Sequence, residues 1–117
     1  MSDLSAVERI VHLCARSAWQ AALQTGEYRP PSLETEGFIH CSLPGQIVDV
    51  ANRFYPGVKD LVLLWIDPQQ INAEIRWDAV GEQIFPHIYG PLNLAAVLAV
   101  RDFSPGADGV FHQMSGL

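Results

Sequence analysis

Hydrophobic and polar positions first indicate a buried strand followed by a helix. An apolar run rich in β-branched residues, 7–14, predicts the strand, although such a short run does not by itself distinguish strand from helix. Ser17 is in a position to cap the helix, which we expect to end at Gly26. The predicted apolar face of this helix consists of Trp19, Ala22 and Leu23.

A second strand and a second helix are predicted after a loop over residues 27–36. Residues 37–41 fit an extended strand, and Ser42 followed by Pro44 fits the first turn of a helix that ends near Pro56. The apolar residues that repeat at helical spacing are Ile47, Val50, Ala51 and Phe54. This strand and helix bring an imidazole, His40, close to the start of a helix.

Strands dominate the second half of the pattern. Residues 61–66 form a continuous apolar run typical of a central strand, and residues 73–80 alternate as a half-exposed strand should. Residues 93–103 predict a last, largely apolar strand. Residues 85–92, with Pro86 and Pro91, predict a stiff wall that is neither a regular strand nor a helix. Helices early and strands late indicate an α+β fold.

Composition limits the class of protein. Of the 117 residues 49% are hydrophobic and 17% are charged, which is typical of one globular domain over residues 1–117. We expect an ordered core at 7–103 and a looser tail at 104–117. No apolar run approaches the roughly 20 residues of a membrane helix, so no membrane partner is expected. Asp3 and Glu8 lie where an export signal would carry basic residues, which favours a cytoplasmic location.

Charge and cysteine spacing narrow the expected partners. A net charge of −6 disfavours nucleic acid, because binding to its backbone depends on clustered Lys and Arg. A small-molecule ligand fits better. Cys14 and Cys41 have no metal-ligand or redox spacing, so we expect two reduced, buried thiols and no metal site. The oligomeric state is left open.

Two short segments carry the candidate chemistry. In an extended strand Phe38, His40 and Ser42 share one face, and Ser42 either caps the next helix or helps to hold an anionic group there. In residues 85–92 the same alternation groups Phe85, His87 and Tyr89, which suits either a planar ligand or simple packing. The further candidates are His12 late in the first strand and Arg76, which either clamps a phosphate or lies on an exposed face.

Several strings together resemble a small bacterial family of uncharacterised proteins. The most specific are GFIHCS at 37–42 and FPHIYGPL at 85–92, and the likeness extends over about residues 7–109. Further matching positions are His12, Trp19, Tyr28, Gln46, Asp67 and Trp77.

That family is regarded as similar in fold to the ADP-ribosyltransferases, which have a split, mostly antiparallel sheet and hold NAD in a cleft. The resemblance implies NAD as cofactor, with His12, Ser42 and Arg76 binding it and His40, His87 and Tyr89 as catalytic candidates. The acidic residue that such enzymes carry on a late strand is missing from residues 93–100.

Three functions therefore remain open. The first is a binder of NAD, ADP-ribose or a related nucleotide, and the second is an NAD-dependent transferase or glycohydrolase. The third is a protein-interaction module without a working site.

Overall fold

The computed structural model describes residues 7–112, which form a mixed α+β domain with few helices and mostly antiparallel sheets. The strands of this part are β1 (Ile10–Ala15), β2 (Glu27–Tyr28), β3 (Ile39–His40), β4 (Leu61–Ile66), β5 (Glu74–Val80), β6 (Gln83–Tyr89), β7 (Leu92–Asn93) and β8 (Val97–Phe103). The helices are α1 (Arg16–Thr25), α2 (Ser32–Thr35) and α3 (Ile47–Phe54), with 3₁₀ turns at Pro44–Gln46, Pro68–Gln70 and Leu94–Ala96. No helix among residues 7–112 is long and apolar enough to cross a membrane.

Three small antiparallel sheets are arranged around two apolar clusters. The core sheet has the strand order β1-β4-β8, the outer sheet has the order β3-β6-β5, and β2 pairs with β7. Val11 and Ser42 form a single antiparallel bridge, with N–H···O distances of 2.8 and 2.9 Å. This bridge joins β1 of the core sheet to the residues that follow β3 in the outer sheet.

Strand β4 confirms the predicted central strand. All six of its residues are buried, because the two faces of the core sheet pack against different clusters. Val62, Leu64 and Ile66 enter one cluster, and Leu61, Leu63 and Trp65 enter the other. A strand covered on both faces needs no polar alternation, which explains its continuous apolar run.

Helix α1 begins two residues earlier than a Ser17 cap requires. Ala15 is the residue that precedes the helix, without a side-chain cap, and the Arg16 N–H donates to the carbonyl of Asp60 at 3.0 Å. The predicted end is confirmed: Gly26 has a φ of 94° and its N–H donates to the Ala22 carbonyl. Leu23, predicted on the packed face, is 55% exposed.

Helix α3 also begins differently from the prediction. The 3₁₀ turn Pro44–Gln46 precedes it, and the Gln46 side-chain oxygen accepts from the Leu43 N–H at 2.9 Å, so Ser42 is not the cap. Ile47 and Ala51 are buried as expected, whereas Phe54 is 64% exposed near the end of the helix.

Residues 85–89 belong to a regular strand, contrary to the prediction of an irregular wall. Strand β6 tolerates Pro86 because a residue's N–H and C=O point to the same neighbour in an antiparallel sheet. The Pro86 carbonyl accepts from Cys41 N at 3.2 Å, just beyond the end of the two-residue β3. The N–H that Pro86 lacks would point to the same place, just beyond the end of β3. The proline therefore removes no hydrogen bond from the pairing of β3 with β6.

The described part of the predicted looser tail, residues 104–112, is anchored. Phe111 is 2% exposed, and its ring stacks on Phe103 with centroids 5.1 Å apart. The Asn52 side chain donates to the Phe111 carbonyl at 2.7 Å and accepts from its N–H at 2.8 Å. The Gly- and Ser-rich composition of this segment predicts a loose tail, but the buried ring of Phe111 holds it against the domain. The remainder of the predicted tail, 113–117, lies outside the described residues.

The two cysteines are free and buried, as predicted. Burial raises the pKa of both the Cys14 and the Cys41 thiol, so both stay protonated and unreactive near neutral pH.

Candidate functional site

A cleft of about 750 Å³ opens between β1, α3 and the outer sheet. Its walls are mostly apolar, and aromatic residues of α3 and β6 contribute to them. Four of the six candidate residues named from the sequence line this cavity: His12, His40, Ser42 and His87. Tyr89 is not a lining residue and lies behind His87.

Strand register explains why these side chains meet. His87 of β6 pairs with His40 of β3 on one side and with Arg76 of β5 on the other. Directly paired residues point to the same face of a sheet, so these three side chains share one face. The opposite face buries Ile39 and Ile88 in the core.

His87 is held by a carboxylate behind it. Its side chain is 5% exposed, and Nδ1 lies 2.8 Å from Oδ2 of Asp78. Tyr89 Oη donates to the same oxygen at 2.5 Å, and these two hydrogen bonds lower the pKa of Asp78. Since a carboxylate only accepts, Nδ1 carries the proton, and Nε2 has no partner among residues 7–112. Nε2 is thus the ring nitrogen that is available to a ligand.

The ring of Phe38 packs against the imidazoles of both His40 and His87. Its ring centroid lies 4.2 Å from that of His87, 4.8 Å from that of His40 and 5.2 Å from that of Tyr89. A ring in contact with both histidines restricts their rotamers, so the polar groups are positioned before any ligand arrives.

His40 lies at the more open side of the cleft. Its Nε2 lies 2.8 Å from Glu36 Oε2, its side chain is 53% exposed, and its ring centroid is 5.3 Å from that of His87. Nδ1 is its second, unbonded nitrogen within the described part of the chain. His40 and His87 therefore form a pair of imidazoles, each bonded to a carboxylate.

His12 is a structural neighbour of this pair. Its Nδ1 donates to the His40 carbonyl at 2.5 Å, and its Nε2 accepts from Tyr28 Oη at 2.7 Å. Burial lowers the pKa of His12 to about 4, so the ring is neutral at pH 7. With both nitrogens bonded, His12 offers a ligand its ring surface and fixes the position of β3.

Ser42 does not cap the next helix, whereas Arg76 lies on an exposed strand face, one of the two alternatives that the sequence left open. Ser42 is buried in the cleft wall, and its N–H is occupied by the Val11 carbonyl, so it does not present a free backbone donor to an anion. Arg76 lies outside the cleft lining. Its guanidinium carbon is 4.4 Å from the Tyr89 ring centroid, and Glu74 accepts two hydrogen bonds from it at 3.0 and 3.1 Å.

Three residues of this site were missed at the sequence level: Asp78, Glu36 and Tyr28. Asp78 is nine residues from His87, on the neighbouring strand of a hairpin, within the half-exposed strand predicted at residues 73–80. The useful signal was the alternation of residues 73–80, which places Asp78 on the face of Arg76. Residues 7–112 contain no group of three metal-ligating side chains close enough to hold an ion.

The fold and the cleft define a small α+β domain of antiparallel sheets with a histidine-lined pocket. Residues 13–100 match the family described as "Protein of unknown function (DUF952)", and the chain belongs to this family. The crystal structure of protein CC0527 from Caulobacter crescentus is similar, with a TM-score of 0.81 and 31% identity over 89% of this chain and 93% of that one. The solution NMR structure of CC0527 gives a TM-score of 0.75 over 87% and 90%. No curated protein matches.

Proposed function

We propose that the protein binds a nucleotide-related small molecule, of the class of NAD and ADP-ribose, in the cleft between β1, α3 and the outer sheet. One observation carries this proposal: His40, Ser42 and His87 converge on a mostly apolar cavity of about 750 Å³. Small-molecule sites have this size and this combination of apolar walls with a few polar groups. We further propose an ADP-ribosyltransferase-like arrangement, as the sequence resemblance implies, and a cytoplasmic location, as the sequence itself favours.

The geometry favours specific roles for the candidate residues. His40 and His87 contact the ligand, with Phe38 behind them. Ser42 lines the cleft wall, while His12 keeps β3 in place through the His40 carbonyl. Tyr89 acts on His87 through Asp78 instead of meeting the ligand.

A thermal-shift series with NAD, ADP-ribose, nicotinamide and AMP tests the proposal. A ligand at about 100 times its dissociation constant adds about 2.7 kcal/mol of stability, which is a shift of several degrees in a domain of this size. The control is His112→Gln, because His112 is an exposed histidine outside the cleft and its loss leaves the shift unchanged. Failure of all four compounds to raise the melting temperature at millimolar concentration would exclude this ligand class.

An enzymatic function is the second candidate, and the Asp78–His87 pair favours it. A buried imidazole that donates to a carboxylate and has a free Nε2 is suited to accept a proton. In a glycohydrolase, water would form the new bond to the ribose carbon, the nicotinamide bond would break, and Nε2 would take the water's proton. The test is release of nicotinamide from NAD by the wild type, with loss in Asp78→Asn and retention in His112→Gln.

A further inference from the structure

We propose that the cleft selects a non-anionic, planar ligand that donates hydrogen bonds to His87 and His40. The inference rests on the proposed binding function and specifies the chemistry of its ligand. Within a dinucleotide, the group that enters the cleft would then be a heterocycle carrying N–H or O–H donors, and phosphate groups would stay outside.

The charges around the cleft disfavour an anion. None of its described lining residues is a Lys or an Arg. Arg76, on the same sheet face as His87, already donates two hydrogen bonds to Glu74. Arg53 and Lys59 are next to lining residues in the sequence but are exposed, where salt screens a phosphate contact. Arg16 and Arg29 are also next to lining residues, but Arg16 already donates to Asp60 and Asp102 and Arg29 already donates to Glu27. The chain also carries 13 acidic against 7 basic residues, which slows the approach of anions.

The start of α3 does not compensate for this lack of cations. Backbone N–H groups at a helix start commonly bind anions when they are free. Here the Ser42 N–H donates to the Val11 carbonyl at 2.9 Å, and the Leu43 N–H donates to the Gln46 side chain at 2.9 Å. The Gln46 N–H donates to the Leu43 carbonyl, also at 2.9 Å. These three donors are consumed within the protein.

The two histidines present acceptors to the cleft. Asp78 fixes the proton of His87 on Nδ1, and Glu36 fixes the proton of His40 on Nε2. The remaining nitrogens, Nε2 of His87 and Nδ1 of His40, accept hydrogen bonds when the rings are neutral. A ligand facing them must supply donors, and the two carboxylates behind the rings repel a negative group.

The shape of the cleft favours a flat ligand. Phe54, Tyr55 and Phe85 line it together with His40 and His87. Aromatic faces pack well against a planar ring, and offset or edge contacts add to the area that is buried. A flat molecule with one carboxamide or amino edge fits both the walls and the acceptors.

Two matched pairs of probes test the inference by titration calorimetry at pH 7.5. Nicotinamide and nicotinate differ only in exchanging an amide donor for a carboxylate, and adenosine and AMP differ by a phosphate. We expect nicotinamide to bind at least about tenfold more tightly than nicotinate, and adenosine at least as tightly as AMP. In His87→Phe, which keeps a ring and removes the acceptor, the preference for nicotinamide should fall below about threefold.

The outcomes separate this inference from the proposed function. Tighter binding of nicotinate or AMP, or equal affinities for nicotinamide and nicotinate, would overturn the selectivity while leaving a nucleotide-related ligand in place. No binding of any of the four probes would overturn both. Should His87→Phe fail to fold, Asp78→Asn removes the charge behind the ring from a partly exposed position, and the discrimination against nicotinate should fall at least about threefold.

Discussion

Asp78 holds the imidazole of His87 across the β5–β6 hairpin, with Oδ2 2.8 Å from Nδ1. The two side chains come from diagonal positions, since Asp78 pairs directly with Phe85. Cross-strand neighbours at this separation are within reach of long side chains. The pair therefore depends on the register of one hairpin, and that register also brings Tyr89 to the same oxygen.

The Asp78 pair predicts a pH effect on stability. Hydrogen bonds from Tyr89 and His87 lower the pKa of Asp78, so the folded state binds this proton less readily than the unfolded chain. The stabilisation is present above the ordinary carboxyl pKa, about 4, and is lost as pH falls through the lower folded value. Asp78→Asn should flatten the acid limb of stability measured by urea unfolding. Glu82→Gln, at the exposed hairpin turn, is the matched control, and an equal flattening there would contradict the assignment.

His12 predicts a second pH effect in a different window. Burial lowers its pKa from 6.5 to about 4, so the unfolded chain takes up the proton first as pH falls. The contribution of the neutral His12 ring to the free energy of unfolding is fully present above pH 6.5. It decreases as pH falls toward 4, by roughly 3 kcal/mol in total. His12→Gln should remove this slope and should also lower stability at pH 7 by about 1–3 kcal/mol, through the lost bonds to Tyr28 and the His40 carbonyl. Unfolding curves of His112→Gln should keep the slope, and a slope that persists in His12→Gln would assign it to other groups.

Sequence periodicity predicted the elements whose environment is uniform along their length. Residues 61–66 and 73–80 are strands as expected, because continuous burial and one-sided burial leave distinct patterns. Helix starts were less predictable. Ser17 and Ser42 have side chains suited to capping, but other groups satisfy the helix starts. The Arg16 N–H donates to the Asp60 carbonyl, which is a tertiary contact, and the Leu43 N–H donates to the Gln46 side chain within the same turn.

The candidate site was predictable only in part for a similar reason. The alternation within residues 37–42 and 85–89 grouped the correct side chains on one face, since that depends on local geometry alone. The partners of those side chains depend on which strands pair. Asp78 reaches His87 through the pairing of β5 with β6, and Tyr28 reaches His12 from a different sheet. Glu36 reaches His40 because the chain bends at residues 36–38, and the alternation of a strand does not predict such a bend.

Phe111 predicts a strong effect from a residue near the end of the described chain. Its buried ring stacks on Phe103, and its backbone is fixed by two bonds to Asn52. Phe111→Ala should destabilise the domain by about 3–5 kcal/mol, the usual cost of removing a buried aromatic ring. Val110→Ala, at a 40% exposed neighbour, should change stability by less than about 0.5 kcal/mol. Both values come from chemical denaturation, and similar small effects for the two variants would show that the segment is not anchored.

We predict that replacing His40 weakens ligand binding but has little effect on the stability of the fold. The His40 side chain is half exposed and its hydrogen bond to Glu36 is on the surface, where such polar contacts contribute at most about 1 kcal/mol. The contact that matters for folding is the bond from His12 to its backbone carbonyl, which alanine retains. His40→Ala should therefore change the free energy of unfolding by no more than about 1 kcal/mol.

The neighbouring Ile39 provides the contrast for this prediction. It is fully buried in the core face of β3, so Ile39→Ala should cost about 2–5 kcal/mol. With nicotinamide as the probe, His40→Ala should weaken binding about tenfold through the lost hydrogen bond, while His112→Ala should bind as the wild type does. The measurements are melting curves and titrations on all four proteins. A His40→Ala protein that melts as low as Ile39→Ala yet binds nicotinamide normally would make His40 a structural residue, because a side chain needed only for packing affects folding before it affects the ligand.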